Sequence, residues 1–127
     1  MNRNLLFALS LTSVLAVSLI AGCAGITTYT NPSQTINATV NGEFAIALDS
    51  NPTTGYSWNA SYDASLLSLE KEKYQPSEKE PALVGAGGTQ HYQFKALKAG
   101  STEINLTYLR SWEEEPIDRK VFTVEIS

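Results

Sequence analysis

From Thr35 onward, apolar and polar residues alternate with a period of two in block after block, as in strands that bury one face. Thr35 to Val40 sets Ile36, Ala38 and Val40 on one side, and after an Asn41-Gly42 turn Glu43 to Asp49 does the same with Phe44, Ile46 and Leu48. These two blocks predict either a hairpin or consecutive strands of two packed sheets. Tyr56 to Tyr62 aligns Tyr56, Trp58 and Ala60, with Trp58 as a core residue. Leu67 to Tyr74 reads as a strand carrying a solvated Glu70-Lys71-Glu72-Lys73 run, although Ala64 to Leu69 would also suit a turn of helix. Thr89 to Ala96 aligns Tyr92, Phe94 and Ala96 and turns His91 to the opposite, exposed face. After a Lys98-Ala99-Gly100 turn, Ser101 to Arg110 aligns Ile104, Leu106 and Tyr108. Asp118 to Ser127 closes the chain with Phe122, Val124 and Ile126.

Short strands at regular spacing, with no convincing helix and no repeat, predict an all-β, immunoglobulin-like β-sandwich of about seven or eight strands. Cys23 is the only cysteine, so the sandwich has no intramolecular disulfide and no thiolate metal cluster. His91 is the only histidine, which leaves a Cys-His catalytic pair without a plausible geometry.

The N-terminus breaks the pattern. Arg3 precedes an apolar run from Leu5 to Ile20, and Ile20-Ala21-Gly22-Cys23 ends it with small residues before the cysteine. Residues 1–22 thus resemble a lipoprotein signal, with Cys23 as the lipidated residue and residues 23–34 as a short tether to a domain over 35–127. An uncleaved anchor is the competing reading, and the run is short for a bilayer span. The expected location is the cell envelope, on its periplasmic or extracellular face, with the membrane reached through lipid on Cys23. Over 127 residues, 9 Lys+Arg face 13 Asp+Glu; losing Arg3 with the signal leaves 8 against 13, near −5. An acidic domain is a poor partner for nucleic acid or for anionic lipid held by charge.

Three stretches between strands are unusual. Asn51-Pro52-Thr53-Thr54-Gly55-Tyr56 is a stiff tip: Pro52 fixes its own φ, Asn51 suits an Asx turn, and Gly55 admits positive φ. Gln75 to Gly88 is a long irregular loop that holds Val84 and then Gly85-Ala86-Gly87-Gly88. Arg110-Ser111-Trp112 leads into Glu113-Glu114-Glu115-Pro116. In a sandwich whose strands alternate in direction, these three loops emerge at the same end.

In this order the three stretches resemble the chagasin-like inhibitors of papain-type cysteine peptidases, whose marks are NPTTG followed by an aromatic, GxGG, and R-P-W or R-P-F. The first two match fully, and Ser111 stands where the family usually has proline. The resemblance spans Thr35 to Ser127. It implies that Thr53 and Thr54 enter the peptidase cleft over its catalytic cysteine and histidine. It further implies that Gly85 to Gly88 run along the non-primed side, with Val84 before the pocket for a substrate's second residue. Trp112, beside Arg110, would stack on the primed side. Serine at 111 leaves its loop freer than proline, which implies a cost in affinity and no change of function. Such an inhibitor works as a reversible plug, expected to be a monomer, with no catalytic residues, cofactor or metal of its own. The rival readings are an immunoglobulin-like adhesion or assembly module, and an enzyme built on the carboxylates of Glu113 to Glu115. The module leaves three motifs to coincidence, and the carboxylates have no base or phosphate loop near them in sequence.

Overall fold

A computed structural model describes residues 25–77 and 87–127. Cys23, Val84, Gly85 and Ala86 lie outside the described residues. Eight strands appear in chain order: β1 (Thr27–Tyr29), β2 (Ile36–Ala38), β3 (Glu43–Ser50), β4 (Tyr56–Ser61), β5 (Leu67–Pro76), β6 (Gly88–Ala96), β7 (Gly100–Arg110) and β8 (Asp118–Ile126). They form two four-stranded sheets, ordered β1-β3-β6-β5 and β2-β8-β7-β4. The result is an immunoglobulin-like β-sandwich. Because β2 and β3 belong to different sheets, the Asn41 turn is a crossing between layers and not a hairpin. Asn41 takes a φ of 71° there, which a short polar side chain tolerates.

The predicted inward faces meet in one core. Phe44, Ile46, Leu48, Leu67, Tyr92, Phe94 and Ala96 come from one sheet, and Ile36, Trp58, Ile104, Leu106, Phe122, Val124 and Ile126 from the other. Each large aliphatic or aromatic side chain taken from water here contributes roughly 1.5–3 kcal/mol, which is how the domain stands without a disulfide. Val40 departs from its predicted place. It lies past the end of β2, in the turn, and is exposed.

Two boundaries also differ from the sequence reading. Residues 27–29, expected to lie in a tether, pair parallel with β3 (Tyr29 opposite Ile46), and Tyr29 is buried against Phe44. Thr27-Thr28-Tyr29 holds a single apolar residue and shows no alternation, so its sheet partner defines it. The irregular stretch expected from Gln75 to Gly88 is shorter, because Gln75 pairs with Thr89 and Pro76 with Gly88. Pro76 is tolerated because β5 is an edge strand. The Glu70 to Lys73 charges lie along that edge beside a register shift between Leu69 and Lys71, and both features discourage pairing with another chain. His91 sits opposite Ala47 and Lys73 and is half-buried, more covered than its outward phase suggested.

Ser50, Pro76 and Gly88 are in register across one sheet, and Tyr56 is in register with Arg110 across the other. The β3–β4, β5–β6 and β7–β8 connections therefore leave the sandwich at one end.

Candidate functional site: three loops at one end of the sandwich

The first loop is built by Asn51. Its side-chain oxygen accepts from the amide of Thr53 at 3.3 Å and from the Thr53 hydroxyl. Its carbonyl accepts from the amide of Thr54 at 3.2 Å and from the Thr54 hydroxyl at 2.7 Å. Residues Pro52–Thr54 form one turn of 3-10 helix, which Gly55 ends at φ 89° with its amide on the Pro52 carbonyl at 3.0 Å. Proline at the start and a left-handed glycine at the end are the residues such a turn requires. Pro52, Thr53 and Thr54 are exposed, yet both threonine hydroxyls donate back into the loop. The tip therefore presents a fixed small shape and no activated nucleophile.

The third loop leans on the first. A Cβ placed on Gly55 would come within 2.8 Å of Cη2 of Trp112, so the indole lies against the glycine with no room for a side chain. Trp112 nevertheless remains 69% exposed. Arg110 ties the two loops together. Its Nε donates to the Thr54 carbonyl at 3.1 Å, and its guanidinium lies over the ring of Tyr56 at 4.3 Å and near that of Trp112 at 5.6 Å. Its ion pair with Glu113, at 3.9 Å between partly exposed groups, is a minor term of about 0–1 kcal/mol. Arg110 is thus chiefly a strut between loops, a role its sequence position does not reveal. Ser111 sits inside a turn closed by the Glu113 amide on the Arg110 carbonyl at 3.0 Å, so the loop turns without the family's proline. Ile117, just before β8 and 61% exposed, adds an apolar residue to this end that the sequence motifs did not include.

Of the second loop, Gly87 and Gly88 are described. A Cβ at Gly88 would fall 2.2 Å from the Gln75 carbonyl oxygen, so the β5–β6 ladder itself needs glycine there. A Cβ at Gly87 would lie 3.0 Å from the Ser50 carbonyl and 3.4 Å from Cβ of Asn51, which places this loop against the stem of the first.

Beneath the loops, neighbouring aromatic residues of β4 and β7 form a continuous stack. Tyr56 and Tyr108 rings are 5.3 Å apart, and Tyr108 and Trp58 are 4.7 Å apart. Trp58 is buried as predicted and donates its Nε1–H to the Asp49 carbonyl at 2.9 Å. Tyr92 donates its hydroxyl to the Trp58 carbonyl at 2.9 Å, and burial pushes that phenol well above its ordinary range, so it stays a neutral donor. Among the described residues, no group of three or more His, Cys, Asp or Glu is placed to hold a metal ion.

A rigid sandwich that displays a preshaped tip and an exposed indole, braced loop to loop, defines a protein whose business is to fit another protein's surface. Residues 37–126 match the chagasin family of peptidase inhibitors, I42, and the chain belongs to that family. It is 39% identical to chagasin of Trypanosoma cruzi over 85 residues, covering 62% of this chain and 74% of that protein. It is 32% identical to amoebiasin-2 of Entamoeba histolytica over 128 residues, covering 99% of each. Among solved structures, the crystal structure of the cysteine protease inhibitor EhICP2 from Entamoeba histolytica superposes with a TM-score of 0.71 at 31% identity, over 80% of this chain and 96% of that one. The chain is a peptidase inhibitor and not an enzyme.

Proposed function

We propose that the chain is a reversible inhibitor of papain-like cysteine peptidases that blocks the cleft with the three loops just described. The observation that carries the reading is the bracing of Asn51–Gly55 by Arg110 and Trp112, because a tip held in shape before binding loses little entropy on entering a narrow groove. Thr53 and Thr54 occupy the floor of the cleft. The Val84 to Gly88 stretch lies along its non-primed side, and Trp112 stacks on the primed side. An adhesion or assembly module would leave family membership and the bracing of this end without a purpose. The protein acts as a monomer and is held at the cell envelope by lipid on Cys23 after removal of residues 1–22. The composition of that N-terminal stretch supports this second part.

The inhibitory reading is tested by titrating the full chain, kept in mild detergent, against papain. Loss of peptidase activity at sub-micromolar inhibitor, reversed on dilution, is the expected result; undiminished activity at micromolar concentrations of folded protein overturns it. The anchor is tested by fractionating cells that express the wild type or Cys23→Ser. The wild type is expected with membranes and the variant in the soluble fraction, and equal partition of the two would sink the anchor.

A further inference from the structure

We infer that Tyr108 is a positioning residue for inhibition: it sets the height and angle of the Asn51–Gly55 tip without itself reaching the peptidase. The assignment rests on the inhibitory reading above. No family motif includes Tyr108, and by alternation alone it is one more inward residue of β7. Its surroundings say more. Its hydroxyl oxygen accepts the backbone amide of Asn51 at 2.9 Å, a contact across 57 residues of sequence. Asn51 is the residue from which the whole tip is hung, since Thr53 and Thr54 both bond to it. The Tyr108 ring is held between Tyr56, where the tip loop rejoins the sheet, and Trp58. Its carbonyl accepts the amide of Ile117 at 2.8 Å, which fixes the return of the Trp112 loop. One residue on a central strand thus touches both ends of the first loop and one end of the third.

The physical consequence is preorganisation. Pro52 and the Asn51 bonds give the tip its internal shape, but a stiff loop on a loose stem still presents many orientations. A hydrogen bond from the first residue of the loop to a ring locked by stacking removes that freedom before the partner arrives. Tyr108→Phe keeps the ring and the stack and removes only the acceptor. Loss of a single hydrogen bond of this kind weakens inhibition by about five- to tenfold.

The test compares the wild type, Tyr108→Phe and Leu66→Ala in the full chain in mild detergent. Leu66 packs against the core at the opposite end and serves as a destabilised control. Three quantities are read: melting temperature, hydrogen exchange at the Asn51 amide without any peptidase, and the papain inhibition constant. Tyr108→Phe is expected to speed Asn51 exchange by on the order of tenfold and to raise the inhibition constant about five- to tenfold. Leu66→Ala is expected to lower the melting temperature at least as much and to leave inhibition within about twofold. Wild-type inhibition by Tyr108→Phe, or losses in the two variants that simply follow their melting temperatures, overturns the positioning role. If the wild type itself does not inhibit, the role falls together with the inhibitory reading. Failure of the role alone is seen as an active wild type with an equally active Tyr108→Phe.

Discussion

The chain contains the same turn twice. Asn31-Pro32-Ser33 and Asn51-Pro52-Thr53 share an asparagine whose side-chain oxygen accepts the amide and the hydroxyl of the residue two further on. In both, the carbonyl of the asparagine also receives the amide three residues later. Around Asn31 the hydrogen bonds, among the described residues, are internal to the turn, which carries the chain from β1 to β2 between the two sheets. Around Asn51 the same kernel is gripped from outside by Tyr108, by Arg110 on Thr54, and by the Trp112 ring on Gly55. Local chemistry makes a stiff turn, and long-range contacts make a turn into a presented surface.

The largest expected effect tests the part of that surface that is most open. Trp112→Ala removes an indole that is 69% exposed in the free protein and that the proposed inhibitory mode buries against the peptidase. Interface anchors of this type cost about 2 kcal/mol or more on truncation, which predicts a loss of inhibition of roughly thirtyfold with the melting temperature nearly unchanged. Parallel loss of stability and inhibition would instead place Trp112 in the structural half of the comparison. Next comes the contact beneath it. Gly55→Ala introduces a Cβ 2.8 Å from the indole at a residue with φ 89°, so the tip and Trp112 cannot both keep their places. The strain destabilises the fold by about 1 kcal/mol. Inhibition is expected to fall about tenfold, because both presented elements shift. Retention of full inhibition would show that the two loops act independently.

How far the comparison was visible in the sequence depends on the range of the forces involved. Period-two alternation placed the six longer strands, β2 within its Ile36 to Val40 block, and nearly all of the core, because each buries one face and its own residues record it. Residues 27–29 and Val40 went astray because Thr27-Thr28-Tyr29 holds one apolar residue and so shows no period, and because a turn can interrupt one. In the site, the tip could be read from Asn51, Pro52 and Gly55, whose preferences are local. That Arg110 braces Thr54, that Gly55 seats the Trp112 ring and that Tyr108 holds Asn51 could not, since each is a meeting of residues more than fifty positions apart. Register supplies the missing information. Once Trp58 is set opposite Tyr108 and Tyr56 opposite Arg110, the stack and the strut follow. The glycine at 88 shows that one residue can answer two demands: a family mark read for its partner is also required by the Gln75 carbonyl 2.2 Å from its missing Cβ.

The smallest expected effect is the sharpest test of the comparison, because it changes the same atoms in both turns. Asn31→Ala and Asn51→Ala each delete a side-chain acceptor for the amide and hydroxyl two residues on. Loss of such a local bond costs about 0.5–1.5 kcal/mol in either place, a drop of several degrees in melting temperature for a domain of this size. Asn51→Ala should also weaken papain inhibition several-fold, as Thr53 is released. Asn31→Ala should leave inhibition within about twofold, because among the described residues no backbone hydrogen bond joins its turn to the loops at the inhibitory end. If the two variants weaken inhibition equally, the tip depends on the global stability of the sandwich. If they differ while their melting temperatures match, what distinguishes the two turns is the long-range bracing of Asn51 and not the Asn-Pro sequence they share.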